Sequence, residues 1–185
     1  MLDELKKDAS QRMQKCVTTF RDQLKKLRTG RAHTSLIEHI KVDYYGTEMP
    51  LNQVASVATE DSRTLTVTPW EKSMVAIIEK AIFKSDLGLT PNSAGQIIRI
   101  SMPALTEERR RDVTKVVRSE AENARVAVRN VRREVNNEIK EMLKEKLIAQ
   151  DDERRGQDEV QKLTDKFVAE IDHAMAEKEK ELMQV

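Results

Sequence analysis

The side chains with the most evident chemistry in this chain are arginines. Between Arg109 and Arg133 there are 8 Arg, 1 Lys and 3 acidic residues, whereas elsewhere Lys outnumbers Arg by 16 to 8. Lysine serves a merely solvated face, while the planar, five-donor guanidinium suits bidentate phosphate contacts and stacking on bases. Arg111, Lys115, Arg118, Glu122, Arg125, Arg129 and Arg132 step by threes and fours, which makes one stripe on a helix. Taken as two residues off the apolar stripe, about 200° around, they face away from a bundle core. Arg129, Arg132 and Arg133 have no acidic residue three or four positions away. Arg129 instead faces Arg125, Arg132 and Arg133, and like charges at that spacing are mildly destabilising. An external anion would relieve the cluster. A second reading stays open, above all for Arg118 and Arg125: pairing with the acidic C-terminal segment inside a bundle.

Other chemistry is hard to find. His33, His39 and His173 are scattered without metal-ligand spacing, and no CxxC or glycine-loop GK[ST] occurs. Asp and Glu pairs sit on polar helix faces, where solvation explains them, and no nucleophile stands with a base. The expectation is a protein that is not an enzyme and needs no cofactor or metal. Cys16 is the single cysteine; it falls on an apolar stripe and reads as a small core residue. The N-terminus is charged from Asp3 onward, and the longest apolar run, 74–78, is far too short to span a bilayer. A soluble cytoplasmic protein without membrane contact follows as the expectation.

Charge is unevenly placed. The net +1 divides into +4 over residues 1–30, −1 over 31–103, +3 over 104–149 and −5 over 150–185. Charged residues make up 35% and aromatics 3%, which favours long solvent-washed helices over a thick core.

The elements follow from periodicity. Leu2, Leu5, Ala9, Met13, Cys16, Phe20, Leu24 and Leu27 recur at helical steps, predicting one helix of roughly 27 residues. After Gly30 the period changes. Ile40, Val42 and Tyr44 alternate as in a strand, Gly46 marks a turn, and Val54, Val57, Leu65 and Val67 lie in β-prone stretches. Residues 73–84 read as a short helix, with Val75, Ile78 and Ile82 on one face and Ser73 as N-cap. Residues 86–93 read as a turn-rich loop, and Ile97, Ile98 and Ile100 as a last strand. Four of the six aromatics (Tyr44, Tyr45, Trp70, Phe83) lie in this middle third, which suggests a compact α/β unit with its own core. Thr106 is a good N-cap for a helix of about 40 residues, roughly 60 Å long. Asp151, Asp152 and Gly156 mark a bend before one more amphipathic helix. The fold class expected is α+β. Residues 1–30 and 104–185 form an antiparallel three-helix bundle, and 31–103 form an inserted small α/β (β/α/β) domain. Gly30, Arg31, Ala32, His33 and Thr34, with Met102, Pro103, Ala104 and Leu105, form the two crossings and a hinge.

Several stretches, in this order along the chain, resemble the bacterial ribosome recycling factor (ribosome-releasing factor) family. They are Leu27-Arg28-Thr29-Gly30-Arg31-Ala32, Tyr44-Tyr45-Gly46, Glu60-Asp61-Ser62-Arg63-Thr64-Leu65, Glu79-Lys80-Ala81-Ile82, Ser85-Asp86-Leu87-Gly88-Leu89, Pro91-Asn92-Ser93-Ala94-Gly95, Leu105-Thr106-Glu107-Glu108-Arg109-Arg110 and Ala127-Val128-Arg129-Asn130-Val131-Arg132-Arg133. The resemblance implies an L-shaped molecule that binds post-termination ribosomes and, with elongation factor G and GTP held by that partner, separates the subunits and frees mRNA and tRNA. It implies a long helix lying on large-subunit rRNA, with Arg129 and Arg132 central. Composition and resemblance together nominate Arg110, Arg118, Arg125, Arg129, Arg132 and Arg133 as the rRNA-binding set, in a monomer with no DNA partner. One departure stands out: the family commonly follows Gly-Arg-Ala with a small polar residue and proline, where this chain has His33-Thr34. The missing proline predicts a looser linker.

The uninterrupted apolar stripes also fit a coiled-coil scaffold or a general RNA-binding protein. Sedimentation over a wide concentration range separates the first of these. A constant monomer mass is expected, and a mass that rises with concentration would favour the scaffold.

Overall fold

The structure, a computed structural model, describes residues 1–27 and 29–184. Arg28, within one of the family-like stretches, and Val185, the end of the expected bundle, lie outside the described residues. The chain divides into two compact units: Met1–Leu24 with Thr114–Met183, and Lys25–Val113 with Gln184.

The first unit holds three helices: α1 (Leu2–Lys25), most of α4 (Glu107–Lys144) and α5 (Gln150–Met183). Each has one narrow apolar stripe, so none is stable alone and the three close on one another. Arg12 of α1 pairs with Glu134 of α4, and Lys6 of α1 with Glu159 of α5. Arg118 and Arg125 of α4 pair with Glu179 and Asp172 of α5, so α4 and α5 run antiparallel. The core interleaves Met13, Val17 and Phe20 with Val117, Val128 and Val135, and with Val160, Phe167 and Ile171.

Three expectations change here. Helix α1 is 24 residues long, and Val17 rather than Cys16 holds the core position. Cys16 lies one step aside, half-buried, and burial raises its thiol pKa. The break before α5 is not at Gly156. Lys146 turns the chain with φ 59°, and Asp152 Oδ2 accepts the Ala149 N–H (3.2 Å), so α5 begins at Gln150. Gly156 is buried inside α5, where a Cβ would come within 3.3 Å of Ile139 Cδ1. It is close packing, not turn chemistry, that this glycine serves.

The second unit is built on β-structure. Strands β1 (Lys41–Tyr44) and β2 (Thr47–Pro50) form a hairpin. Tyr45 and Gly46 close it with φ 50° and 86°, the two positive values that a primed two-residue turn requires. Both tyrosine hydroxyls donate to Glu71, Tyr45 at 2.6 Å and Tyr44 at 2.7 Å. These bonds, Tyr45's first, hold the Glu71 carboxyl below its ordinary pKa. A short α2 (Leu51–Val54) leads into β3 (Ala55–Thr59), then β4 (Thr64–Pro69), α3 (Val75–Phe83), β5 (Thr90–Ala94) and β6 (Ile97–Ser101). The sheet is antiparallel in the order β3-β4-β6-β5. Alternation puts Leu65, Val67, Ile98 and Ile100 on one face, where α3 covers them with Ile78 and Ile82.

Here too the reading shifts. Ser73 is not an N-cap: Lys72–Met74 winds as a 3₁₀ turn, so Ser73 lies within it. The expected loop 86–93 becomes strand β5 from Thr90 onward. Pro91 is tolerated there because β5 is an edge strand and its missing N–H breaks no ladder bond. The core is aliphatic, because Tyr45, Trp70 and Phe83 are exposed. No described helix is long and apolar enough to cross a membrane.

The linker residue Thr34 opens a one-turn 3₁₀ helix, Thr34–Leu36, preceded by His33 at φ −124°, ψ 132°. Proline fits a first helical position, and the extended residue before it is what proline demands. Thr34→Pro should therefore stabilise the fold by about 0.4–1 kcal/mol, through a stiffer unfolded chain. Urea unfolding should show a higher midpoint at unchanged slope. A lower midpoint would mean that Thr34 needs its N–H.

Candidate nucleic-acid interface

The arginines are positioned by α4. Thr106 caps the helix by accepting the Arg109 N–H (3.2 Å), and Glu107 and Glu108 occupy the first turn, where the helix dipole favours them. Glu107 also pairs with Arg111 at 2.7 Å. Val117, Ala121, Ala124, Val128, Val131, Val135 and Ile139 are the buried residues that fix the rotation of α4 in its unit.

That rotation corrects the expected orientation of the stripe. Arg118, Arg125, Arg129 and Arg132 each follow a core residue by one position, about 100° around the helix. They lie on a flank beside α5, not opposite the core. Arg118 Nε donates to Glu179 Oε1 at 2.8 Å. Arg125 binds Asp172 through Nη2 at 2.6 Å and Nε at 2.7 Å, and Glu122 at 3.0 Å. Its side chain is 17% exposed. Burial alone would lower the Arg125 pKa, but the hydrogen bonds to Asp172 and Glu122 outweigh it and raise the value. Arg118 and Arg125 therefore do pair with the acidic helix, Arg125 largely buried and Arg118 still 67% exposed.

Farther along, the arginines are less committed. Arg129 reaches Glu122 at 3.4 Å, a long contact seven residues back that a search at three- and four-residue spacing misses. Arg132 donates to the neutral Gln161 Oε1 at 3.2 Å. Arg133 is exposed and forms no ion pair among the described residues. Arg110 sits half-buried near the start of α4, in the part of the helix that belongs to the second unit. Of the six nominated arginines, two pair with α5, three on α4 have a long, a neutral or no ion-pair partner among the described residues, and one belongs to the second unit.

The partners Asp172, Glu179 and Gln161 went unseen in the sequence, although a signal exists. Arg118 to Arg125 is seven residues up α4, and Glu179 to Asp172 is seven residues down α5. Two heptad-spaced sets of opposite charge mark antiparallel neighbours, but only once the register is known. Among the described residues, no three His, Cys, Asp or Glu side chains are grouped as metal ligands.

Fold and surface together define a class: an α+β factor that presents a charged helical face. Comparison with known proteins gives the family. The family profile described as ribosome recycling factor matches residues 20–183. The ribosome-recycling factor of Thioalkalivibrio sulfidiphilus is 63% identical over 185 residues, covering all of both chains, and that of Legionella pneumophila (strain Paris) is 56% identical with the same coverage. A solution structure of a ribosome recycling factor matches with a TM-score of 0.81 at 40% identity, covering 100% of this chain and 98% of that one. A second structure, of models for the T. thermophilus ribosome recycling factor and the E. coli elongation factor G bound to the E. coli post-termination complex, matches with a TM-score of 0.70 at 44% identity over 99% of each chain. This chain belongs to the ribosome recycling factor family. It is a translation factor, not an enzyme.

The division among the arginines is open to test by unfolding. Arg125→Ala removes charge-assisted hydrogen bonds and the packing of a mostly buried stem, and should cost about 1–3 kcal/mol. Arg133→Ala should stay within about 0.5 kcal/mol, as exposed substitutions do. Equal losses in urea unfolding would sink the distinction.

Proposed function

We propose that this chain recycles ribosomes in the cytoplasm, as a monomer. It binds the post-termination ribosome by laying α4 on large-subunit rRNA, and it works with elongation factor G, which carries GTP, to separate the subunits. The observation that carries the rRNA contact is the gradient along α4. Guanidinium groups near Glu179 and Asp172 are neutralised within the unit, while Arg129, Arg132 and Arg133 are held by a long contact, a neutral amide and nothing among the described residues. The rRNA-facing set is therefore Arg129, Arg132 and Arg133. Phosphate contacts from this set would position a rod without reading sequence, while Arg118 and Arg125 hold α4 against α5.

The second unit serves as the lever. Ala32 and Met102 belong to its buried core and the compact unit runs from Lys25 to Val113, so any pivot lies outside 32–102. Force from the GTPase on this lever would be transmitted to a rod anchored on RNA. GTP chemistry belongs to the partner, and no reacting group is required here.

The test is splitting of post-termination ribosomes by this protein, elongation factor G and GTP, each omitted in turn. Full splitting should need all three. Arg132→Gln and Arg133→Gln should each weaken ribosome binding about tenfold or more, as loss of a charge-assisted hydrogen bond does, with an unchanged melting temperature. Normal splitting by the double variant would refute the arginine face.

A further inference from the structure

We propose that Asn130 and Asn137, on the outward face of α4, recognise RNA through groups that the phosphate backbone lacks, the ribose 2′-hydroxyls and the base edges. The inference rests on the proposed function and extends it. Arginines hold the phosphates, and asparagines read what lies between them.

The bundle helices differ in their use of asparagine. Helix α4 carries four, Asn123, Asn130, Asn136 and Asn137, whereas α1 and α5 carry none. All four fall in the stretch 123–137, which also holds Arg125, Arg129, Arg132 and Arg133. Asparagine is a poorer helix former than Ala, Lys, Glu or Gln, because its short amide competes for nearby backbone hydrogen bonds. In a helix interior such a residue needs a return, from a partner inside the fold or from one outside it.

The rotation of α4 separates the four. Asn136 lies one turn beyond Arg132, on the flank where Arg132 meets Gln161 of α5, and its Oδ1 is buried. Asn123 lines the groove against α1. Asn130 and Asn137 are exposed, and their side chains form no hydrogen bond among the described residues. With Val126 and Arg133 they step by four, three and four, which makes one line along the helix. The line is about 16 Å long and lies about 160–220° around from the buried stripe, so it is the face farthest from the core. No Asp or Glu stands in it. Of the neighbouring carboxylates, Glu122 is held by Arg125 and Arg129, and Glu134 by Arg12. Val126 is 42% exposed and adds an apolar surface at one end.

The amides bring a chemistry that guanidinium cannot. A guanidinium only donates hydrogen bonds and a phosphodiester only accepts them, so the two satisfy each other. A carboxamide also accepts, and its Oδ1 requires a donor that the phosphodiester does not have. RNA supplies such donors in its 2′-hydroxyls and base amino groups. An A-form helix displays 2′-hydroxyls and base edges in a wide, shallow minor groove, which is open to short side chains on a rod.

The experiment is binding of the full chain to large ribosomal subunits across salt concentrations. The double variant Asn130→Ala, Asn137→Ala should bind about tenfold more weakly at every salt concentration, as loss of two neutral hydrogen bonds does. Its salt slope should match that of the unaltered chain, whereas Arg133→Gln should reduce the slope by about one. Alanine is the better helix former, so the urea midpoint of the double variant should rise, which separates lost recognition from lost structure. Unaltered affinity, a slope reduced as by Arg133→Gln, or a lower urea midpoint each overturns the inference. None of these outcomes touches the arginine face, which stands or falls on Arg132→Gln and Arg133→Gln.

Discussion

Helix α4 must satisfy two demands on its circumference. Its apolar stripe is narrow and made largely of Val and Ala, so the helix cannot hold itself to α1 and α5 by burial of large side chains. The strip beside the core therefore matters, and there Arg118 and Arg125 lock onto Glu179 and Asp172. Exposed pairs are usually weak, but Arg125 is mostly buried and binds two carboxylates, which places it among the pairs that hold geometry.

The charge asymmetry along the chain then acquires a structural meaning. The acidic C-terminal segment is the electrostatic complement of the neighbouring strip of α4, and it neutralises part of the arginine excess. Toward Arg133 the acidic partners thin out: Gln161 is neutral, and the contact to Glu122 is long. One helix thus grades from structural to available arginines over four turns. A rod that is stiff at one end and cationic farther along suits a partner whose surface is phosphate.

The second unit solves a different problem, that of returning two crossing segments to one place. The β3–β4 turn accepts one hydrogen bond from each, so Ala32 and Met102 enter the aliphatic core together. The Glu60-Asp61-Ser62-Arg63 stretch, which marks the family in the sequence, is thereby explained by geometry. Asp61 shapes the turn, Ser62 and Arg63 supply the carbonyls, and the Arg63 side chain remains for other work. The aromatics stand outside this core. Tyr45 in particular sits in a turn at positive φ, where its ring reaches Glu71 and not the interior.

By itself the sequence determined the long helices, the N-cap at Thr106, the turn at Gly46, the α+β class and the family. All of these rest on local periodicity, turn chemistry or contiguous motifs. It also showed that arginine was concentrated in one helix. It could not say which arginines were available, because that depends on the rotation of α4 and its register against α5, and helix period alone leaves both free. An error of one residue in judging the offset moved the whole stripe by about 100°. Cys16 against Val17, and Gly156 inside a helix instead of ending one, failed for the same reason: a second helix selects between neighbouring residues of nearly equal local merit. The meeting of the two crossings at the β3–β4 turn lay beyond sequence reading altogether, since segments distant in the chain come together only through the backbone hydrogen bonds from Ala32 and Met102.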